Sequence, residues 1–84
     1  GIIGLTKYLS TYWADQNVRV NAVALGGVYN GQSDEFVQRL IKRIPLGRMA
    51  DKDEYKSTIV YLCSDASKYM TGTVLIIDGG RTTW

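Results

Sequence analysis

The chain has 84 residues, 45% of them hydrophobic, and a formal net charge of +2. We therefore expect one small globular domain over residues 1–84, with no nucleic-acid partner. It contains no histidine, which removes histidine-based triads and most zinc sites, so we expect no metal. Cys63 is the only cysteine, and we expect a packed thiol in a cytoplasmic, reducing compartment. No apolar run approaches the roughly 20 residues of a membrane span, and the start does not resemble a signal peptide.

A first helix is predicted from residue 2 to about residue 16, where large apolar side chains recur at three- and four-residue spacing. The stripe consists of Leu5, Tyr8, Leu9, Tyr12 and Trp13. Core packing is one interpretation, although three large aromatic side chains are much surface for a short helix to bury. Asn17 is the predicted stop, because asparagine tolerates the left-handed conformation at a helix end.

A short buried strand is predicted from Val18 to Ala24, running into a turn at Gly26 and Gly27. Gly26, Gly27 and Gly31 are expected to allow positive φ and close approach of the backbone. Their spacing is not that of a dinucleotide fingerprint, so the residues alone favour a structural turn. In parallel sheets, however, ligands bind beyond the carboxyl ends of strands, where residues 25–30 would lie.

A second helix is predicted from a cap at Ser33 to about Arg43, and Pro45 ends it. Arg48 has two interpretations: a ligand for substrate or phosphate, or the favoured one, an arginine that ties the loop to nearby carbonyl groups.

Asp51 and Glu54 form a capping-box pattern that predicts a third helix. Its predicted inward stripe consists of Tyr55, Ile59, Leu62, Cys63 and Ala66. Residues 73–77 predict a second buried strand, which residues 78–80 end. The order helix, strand, helix, helix, strand indicates an α/β fold with a right-handed crossover.

Four motifs in this order resemble the short-chain dehydrogenase/reductase family. They are Arg-Val-Asn-Ala-Val-Ala-Leu-Gly-Gly-Val at residues 19–28, Pro-Leu-Gly-Arg at 45–48, Ser-Lys-Tyr-Met-Thr-Gly at 67–72 and Asp-Gly-Gly at 78–80. The family usually has proline where this chain has Leu25. The resemblance implies a partial Rossmann-type unit, the last two strands of a doubly wound parallel sheet, and the C-terminal third of a longer dehydrogenase.

The family transfers hydride between NAD or NADP and an alcohol or carbonyl, with a tyrosine as acid/base and a lysine four residues later. None of the six tyrosines here has that lysine, and the glycine-rich dinucleotide fingerprint is missing too. The resemblance therefore implies no catalytic residue, no activity and no bound cofactor in this chain alone. It places Gly26 in the turn beside the nicotinamide, the Val28 backbone against the carboxamide, and Asn30 towards the pyrophosphate.

Three functions stay open: an inactive segment of an oxidoreductase, a self-associating module built on old subunit interfaces, and weak ligand binding at the glycine turn. We expect a homo-oligomer, because two parallel strands are too few for a stable sheet and leave an unpaired edge. The surfaces expected to associate include Tyr8, Tyr12, Trp13, the strand at residues 76–77 and Trp84. Within the family, residues 47–50, 61–65 and 78–82 most resemble dehydrogenases of bacterial nonulosonate (sialic-acid-like) sugar biosynthesis.

Overall fold

The computed structural model describes residues 1–83 and has an α/β architecture. These residues form helices α1 (Ile2–Tyr12), α2 (Asp34–Ile41) and α3 (Lys56–Leu62), strands β1 (Ala22–Leu25) and β2 (Val74–Ile77), and 3-10 helices at Ala14–Gln16, Lys52–Tyr55, Asp65–Ser67 and Arg81–Thr83. The strands pair in parallel, because the N–H of Ala22 donates to Thr73 and the N–H of Gly26 donates to Ile77, both at 2.9 Å. The predicted fold class and element order are confirmed.

The chain forms two compact units. The first contains residues 1–24 and 57–76, and its buried polar side chains are Thr6, Ser10 and Ser67. The second contains residues 25–56 and 77–83, and its buried apolar side chains are Ile44, Met49 and Tyr55. A single domain over residues 1–84 stays a prediction, and Trp84 lies outside the described residues.

Helix α1 buries small polar side chains and exposes its large apolar ones. It ends at Tyr12, earlier than predicted, and Asn17 then adopts the predicted left-handed conformation with φ 60°. Tyr8 and Tyr12 are each 59% exposed, so the interpretation that the aromatic stripe packs in the core is wrong for these two side chains. The buried face instead carries Ser10, which lies so close to Gly72 that a Cβ there would be 2.8 Å from the Ser10 hydroxyl oxygen.

Strand β1 begins at Ala22 and not at Val18, because hydrogen bonds to side chains occupy the residues before it. The Asn21 side chain donates to the Met70 carbonyl at 3.0 Å and accepts from the Thr73 N–H at 3.1 Å. The Arg19 guanidinium donates to the carbonyls of Met70 and Leu62, each at 3.0 Å, and to that of Ser64 at 3.3 Å. Side chains therefore fix this part of the chain, together with one backbone bond from the Gly72 N–H to the Val20 carbonyl at 2.8 Å.

The prediction of two buried strands is wrong, since Val18 is 43% exposed, Ala24 is exposed and Ile76 is 61% exposed. An apolar strand is buried only when other elements cover both of its faces, and this sheet has two strands within residues 1–83. The predicted inward stripe of α3 is also wrong for Ile59 and Cys63, because both side chains are exposed. The prediction of a packed thiol at Cys63 is therefore wrong.

The predicted caps are confirmed, although the one at Asp51 begins the 3-10 helix Lys52–Tyr55, which runs into α3 at Lys56. The Ser33 hydroxyl accepts the Phe36 N–H at 3.3 Å, and the Glu54 carboxylate accepts the Asp51 N–H at 2.9 Å. Helix α2 ends at Ile41, two residues before the predicted end, and 3-10 turns lead to Pro45. No helix in the described part of the chain is long and apolar enough to cross a membrane.

Candidate functional site

The turn after β1 lies against the end of β2. A Cβ on Gly26 would stand 2.8 Å from the Cα of Asp78, which is closer than real Cβ contacts come. The Gly26 N–H donates to the Ile77 carbonyl at 2.9 Å, so the backbone at this position cannot withdraw without losing a ladder bond. Glycine at position 26 is therefore required by close approach.

Gly27 is restricted less strictly, because its Cβ would meet the ends of two flexible side chains, at 3.0 Å for Leu40 and 3.2 Å for Met49. The expectation of positive φ in this turn is wrong for Gly26 and Gly27 and confirmed for Gly31, at φ 74°. The first two glycines allow close contact, and only the third allows an unusual backbone angle.

Val28 sits at an isolated parallel bridge to Ala50. The bonds of the bridge belong to its neighbours, because the Ala50 N–H donates to Gly27 at 3.1 Å and the Tyr29 N–H donates to Ala50 at 2.8 Å. The N–H and carbonyl of Val28 therefore point away from Ala50. Among residues 1–83 the Val28 N–H has no hydrogen-bond partner.

The Gln32 side chain joins two of the predicted site residues, and the sequence interpretation missed it. Its amide nitrogen donates to the Val28 carbonyl at 3.1 Å, and its amide oxygen accepts the Asn30 N–H at 2.7 Å. Asn30 itself is exposed. The local side-chain patterns that a sequence reports use Asn, Asp, Ser or Thr, so no short pattern signalled these two bonds of a glutamine.

Arg48 is tied within its loop, and the interpretation favoured from the sequence is confirmed in part. Its guanidinium donates to the Met49 carbonyl at 3.2 Å, but its main partner is the Glu54 carboxylate, held by two bonds at 2.5 and 2.9 Å. The hydrogen bond from Arg48, followed by that from the Asp51 backbone, lowers the pKa of Glu54 to about 2. Arg48 is therefore engaged by a carboxylate that the sequence interpretation had placed only in a helix cap.

The Asp78 carboxylate organises the chain after β2. It accepts the N–H groups of Gly80 at 3.0 Å and Thr82 at 3.2 Å. The Thr82 side chain and then these backbone groups lower the pKa of Asp78. Asp78 is thus held as an anion by the turn it closes.

A cavity of about 530 Å³ opens beside the glycine turn in the second unit. We call it the arginine cavity. Its lining consists of Gly27, Val28, Gln32, Phe36, Arg39, Leu40, Arg43, Met49 and Arg81. A smaller space of about 120 Å³ lies near Gly26, Tyr55 and Asp78.

The arrangement offers hydrogen-bond donors and positive charge. Within the described residues no group of three His, Cys, Asp or Glu side chains could hold a metal ion. The Val28 N–H is an unused donor, and the lining of the arginine cavity includes three arginines beside the apolar Phe36, Leu40 and Met49. Such a surface suits neutral or anionic acceptors.

Known proteins are similar to this chain in both sequence and fold. The family model described as enoyl-(acyl carrier protein) reductase matches residues 1–82. The NADH-dependent L-xylulose reductase of Ambrosiozyma monospora is 40% identical over all of this chain and 34% of its own length. The 3-oxoacyl-[acyl-carrier-protein] reductase of Thermotoga maritima is 40% identical over 95% of this chain and 34% of its own length.

A crystal structure shows the same relation. The short-chain dehydrogenase of Leptospira borgpetersenii with bound NAD+ has a TM-score of 0.92 and 44% identity, covering 98% of this chain and 32% of that one. The chain thus spans about a third of the length of the proteins it matches. The family match and the shared fold show that this chain belongs to the short-chain dehydrogenase/reductase family, as its four motifs predicted.

Proposed function

We propose that this chain is the C-terminal segment of an NAD(P)-dependent oxidoreductase and contributes the nicotinamide side of its cofactor site. The observation that carries the proposal is the Val28 backbone, whose N–H is unpartnered within residues 1–83 while its neighbours are fixed to Ala50. A fixed, unused N–H donor fits a carboxamide oxygen. A bound cofactor would supply the hydride acceptor or donor.

Gly26 and Asn30 have supporting roles in this proposal. Gly26 lets the turn lie against the Asp78 backbone, and this close contact fixes the position of the turn at the end of the sheet. Asn30 is exposed and is tethered through its N–H to Gln32, so its side chain is available to a ligand on the pyrophosphate side. Gln32 holds the Val28 carbonyl and the Asn30 N–H, and so fixes the two peptides that follow the Val28 N–H; the peptide that carries this N–H is held by the bond from the Ala50 N–H to the Gly27 carbonyl.

We further propose that the chain has no dehydrogenase activity alone and negligible dinucleotide affinity. The support lies in the sequence, which has no tyrosine followed four residues later by lysine and no dinucleotide fingerprint. We expect no change in absorbance of NADH or NADPH with a panel of carbonyl sugars, relative to a control without protein. Turnover by material free of host enzymes would contradict this.

The cofactor role is tested by titrating the ¹⁵N-labelled chain with NAD+ and NADP+ to millimolar concentration. We expect weak, unsaturated shifts centred on the Val28 amide. Gln32→Ala should weaken them, because it releases the Val28 carbonyl and the Asn30 N–H and loosens the turn that follows the Val28 N–H, whereas Gln38→Ala on the exposed surface of α2 should not. Micromolar affinity by calorimetry would show that the chain supplies more than the edge of a site. Shifts that avoid residues 26–30 would overturn the assignment.

A second candidate is a self-associating module, and the exposed face of α1 favours it. Ile2, Leu5, Tyr8 and Tyr12 are all more than half exposed. The ladder donors Ala22 and Gly26 face β2, and alternation places the N–H groups of Val23 and Leu25 on the other edge of β1. Both surfaces are suited to contact with a second copy.

Light scattering after size exclusion tests this second candidate. We expect a homo-oligomer, and Tyr8→Glu with Tyr12→Glu should shift it to monomer while leaving the circular dichroism spectrum unchanged. A cooperatively folded monomer at micromolar concentration would refute self-association.

We also propose membership of the nonulosonate-biosynthesis type and a cytoplasmic location. The support is the resemblance of residues 47–50, 61–65 and 78–82, and the single cysteine. The type would be tested by assaying the whole oxidoreductase on nonulosonate precursors against other carbonyl sugars. Equal turnover of unrelated sugars would contradict it.

A further inference from the structure

The arginine cavity carries three cationic side chains and no acidic one. Arg39 comes from α2, Arg43 lies in the turn that follows α2, and Arg81 comes from the 3-10 helix after β2. The apolar part of the lining includes Leu40 and Met49, which is buried. The volume of about 530 Å³ lies within the range of cavities that hold small molecules.

None of these three arginines is neutralised by a carboxylate in the described part of the chain. The salt bridges among residues 1–83 join Arg48 to Glu54 and Lys56 to Asp53. The nearest acidic residues along the chain do not line the cavity: Asp34 and Glu35 lie in the first turn of α2, and Asp78 accepts backbone N–H groups instead.

Arg39 lies in α2 and Arg43 lies two residues beyond its last residue, Ile41, yet both line the cavity. Like charges that line one cavity repel each other. Lys42 lies on the same helix end but does not line the cavity, so a favourable interaction with the helix dipole does not require both arginines to face it. A bound anion would relieve the repulsion.

We propose that the arginine cavity binds a small organic molecule with an apolar body and one carboxylate or phosphate group. The anion lies against Arg39, Arg43 and Arg81, and the apolar body contacts Leu40 and Met49. Gly27 and Val28 belong both to the cavity and to the cofactor turn, so the inference rests on the proposed function when the ligand is taken to be the substrate. Arginine suits both anions, because its planar donors match their oxygens.

The test uses three probes of one chain length: hexanoate, hexyl phosphate and hexanol. Each is titrated into the ¹⁵N-labelled chain at low salt without any cofactor. We expect both anions to shift the amides of residues 36–43 and hexanol to bind about tenfold more weakly or not at all. The tighter anion identifies whether a carboxylate or a phosphate is recognised. Equal binding of hexanol and the anions would overturn the proposal.

Variants separate the cavity from general positive charge. Arg39→Gln with Arg43→Gln should weaken anion binding by about tenfold or more, whereas Lys42→Gln, which removes a charge from the position beside Arg43, should change it less than twofold. If the double variant unfolds, Arg81→Gln provides the same test from another element. Equal losses in the Lys42 and arginine variants would refute a built site.

The outcome is distinguishable from that of the proposed function. Anion binding without any NAD+ shift at Val28 would support the cavity and contradict the cofactor role. The converse result, NAD+ shifts at Val28 with no preference for anions, would remove the inference and leave the proposed function standing.

Discussion

Replacing Gly26 by alanine tests the close approach between the turn and the end of β2. The new Cβ would lie 2.8 Å from the Asp78 Cα and 3.0 Å from its Cβ, against a normal contact distance of about 3.5–4.0 Å. The obstacle is backbone, and the Gly26 N–H is bonded to Ile77, so relief requires the strand ends to separate. Overpacking of this kind costs about 1–3 kcal/mol in the free energy of unfolding.

The assay is urea unfolding followed by circular dichroism at a fixed protein concentration. In a parallel thermal melt of a domain of this size, each kcal/mol in the free energy of unfolding corresponds to about 4–8 °C in melting temperature. The matched control is Gly4→Ala, because Gly4 lies in α1 with nothing within 4 Å of its Cβ position. That change should stabilise the chain by about 0.5–1 kcal/mol. A Gly26→Ala variant as stable as the unchanged chain, or equal losses in both variants, would refute the reasoning.

Three further predictions concern stability. Leu25→Pro should stabilise by about 0.4–1 kcal/mol in urea unfolding, since alternation of the ladder leaves the Leu25 N–H unused by β2; a clear loss would show that the turn geometry excludes proline. Arg19→Lys should destabilise by about 2 kcal/mol, because lysine cannot span the carbonyls of Leu62 and Met70, whereas Arg39→Lys should be near neutral in the same assay; equal effects would contradict this. The pKa of Glu54 is depressed from 4.5 to about 2, so its stabilising contribution is complete above pH 4.5 and is lost as the pH falls towards 2. In the Glu54→Gln variant the urea midpoint should depend less on pH over that window. The same pH dependence in the variant and the unchanged chain would disprove the prediction.

Features set by local chemistry were predictable from the sequence. The caps at Ser33 and Glu54 and the left-handed Asn17 depend on backbone groups a few residues away, so short patterns specify them. The parallel strand order followed from the alternation of helical and extended patterns. The family followed from motifs spread along the chain.

Features set by long-range contacts were not predictable. An apolar side chain such as Ile76 or Tyr8 is buried only if another element covers it, and periodicity shows which side it faces but not what lies there. The start of β1 was missed because Asn21 and the Arg19 guanidinium bind carbonyls about 50 residues away. The arginine cavity depends on α2 and a later 3-10 helix coming together, which no local pattern reports.

The three carbonyls bound by Arg19 have a consequence for folding kinetics. Their residues lie 43, 45 and 51 positions further along the chain, so the guanidinium reaches them only after a long loop has closed. Contacts of such high sequence separation bear a large entropic cost early in folding and form late. A substitution at Arg19 should therefore speed unfolding more than it slows folding, which would appear as a displaced unfolding arm and an almost unchanged folding arm in a chevron plot. A slowed folding arm would instead place this contact in the nucleus.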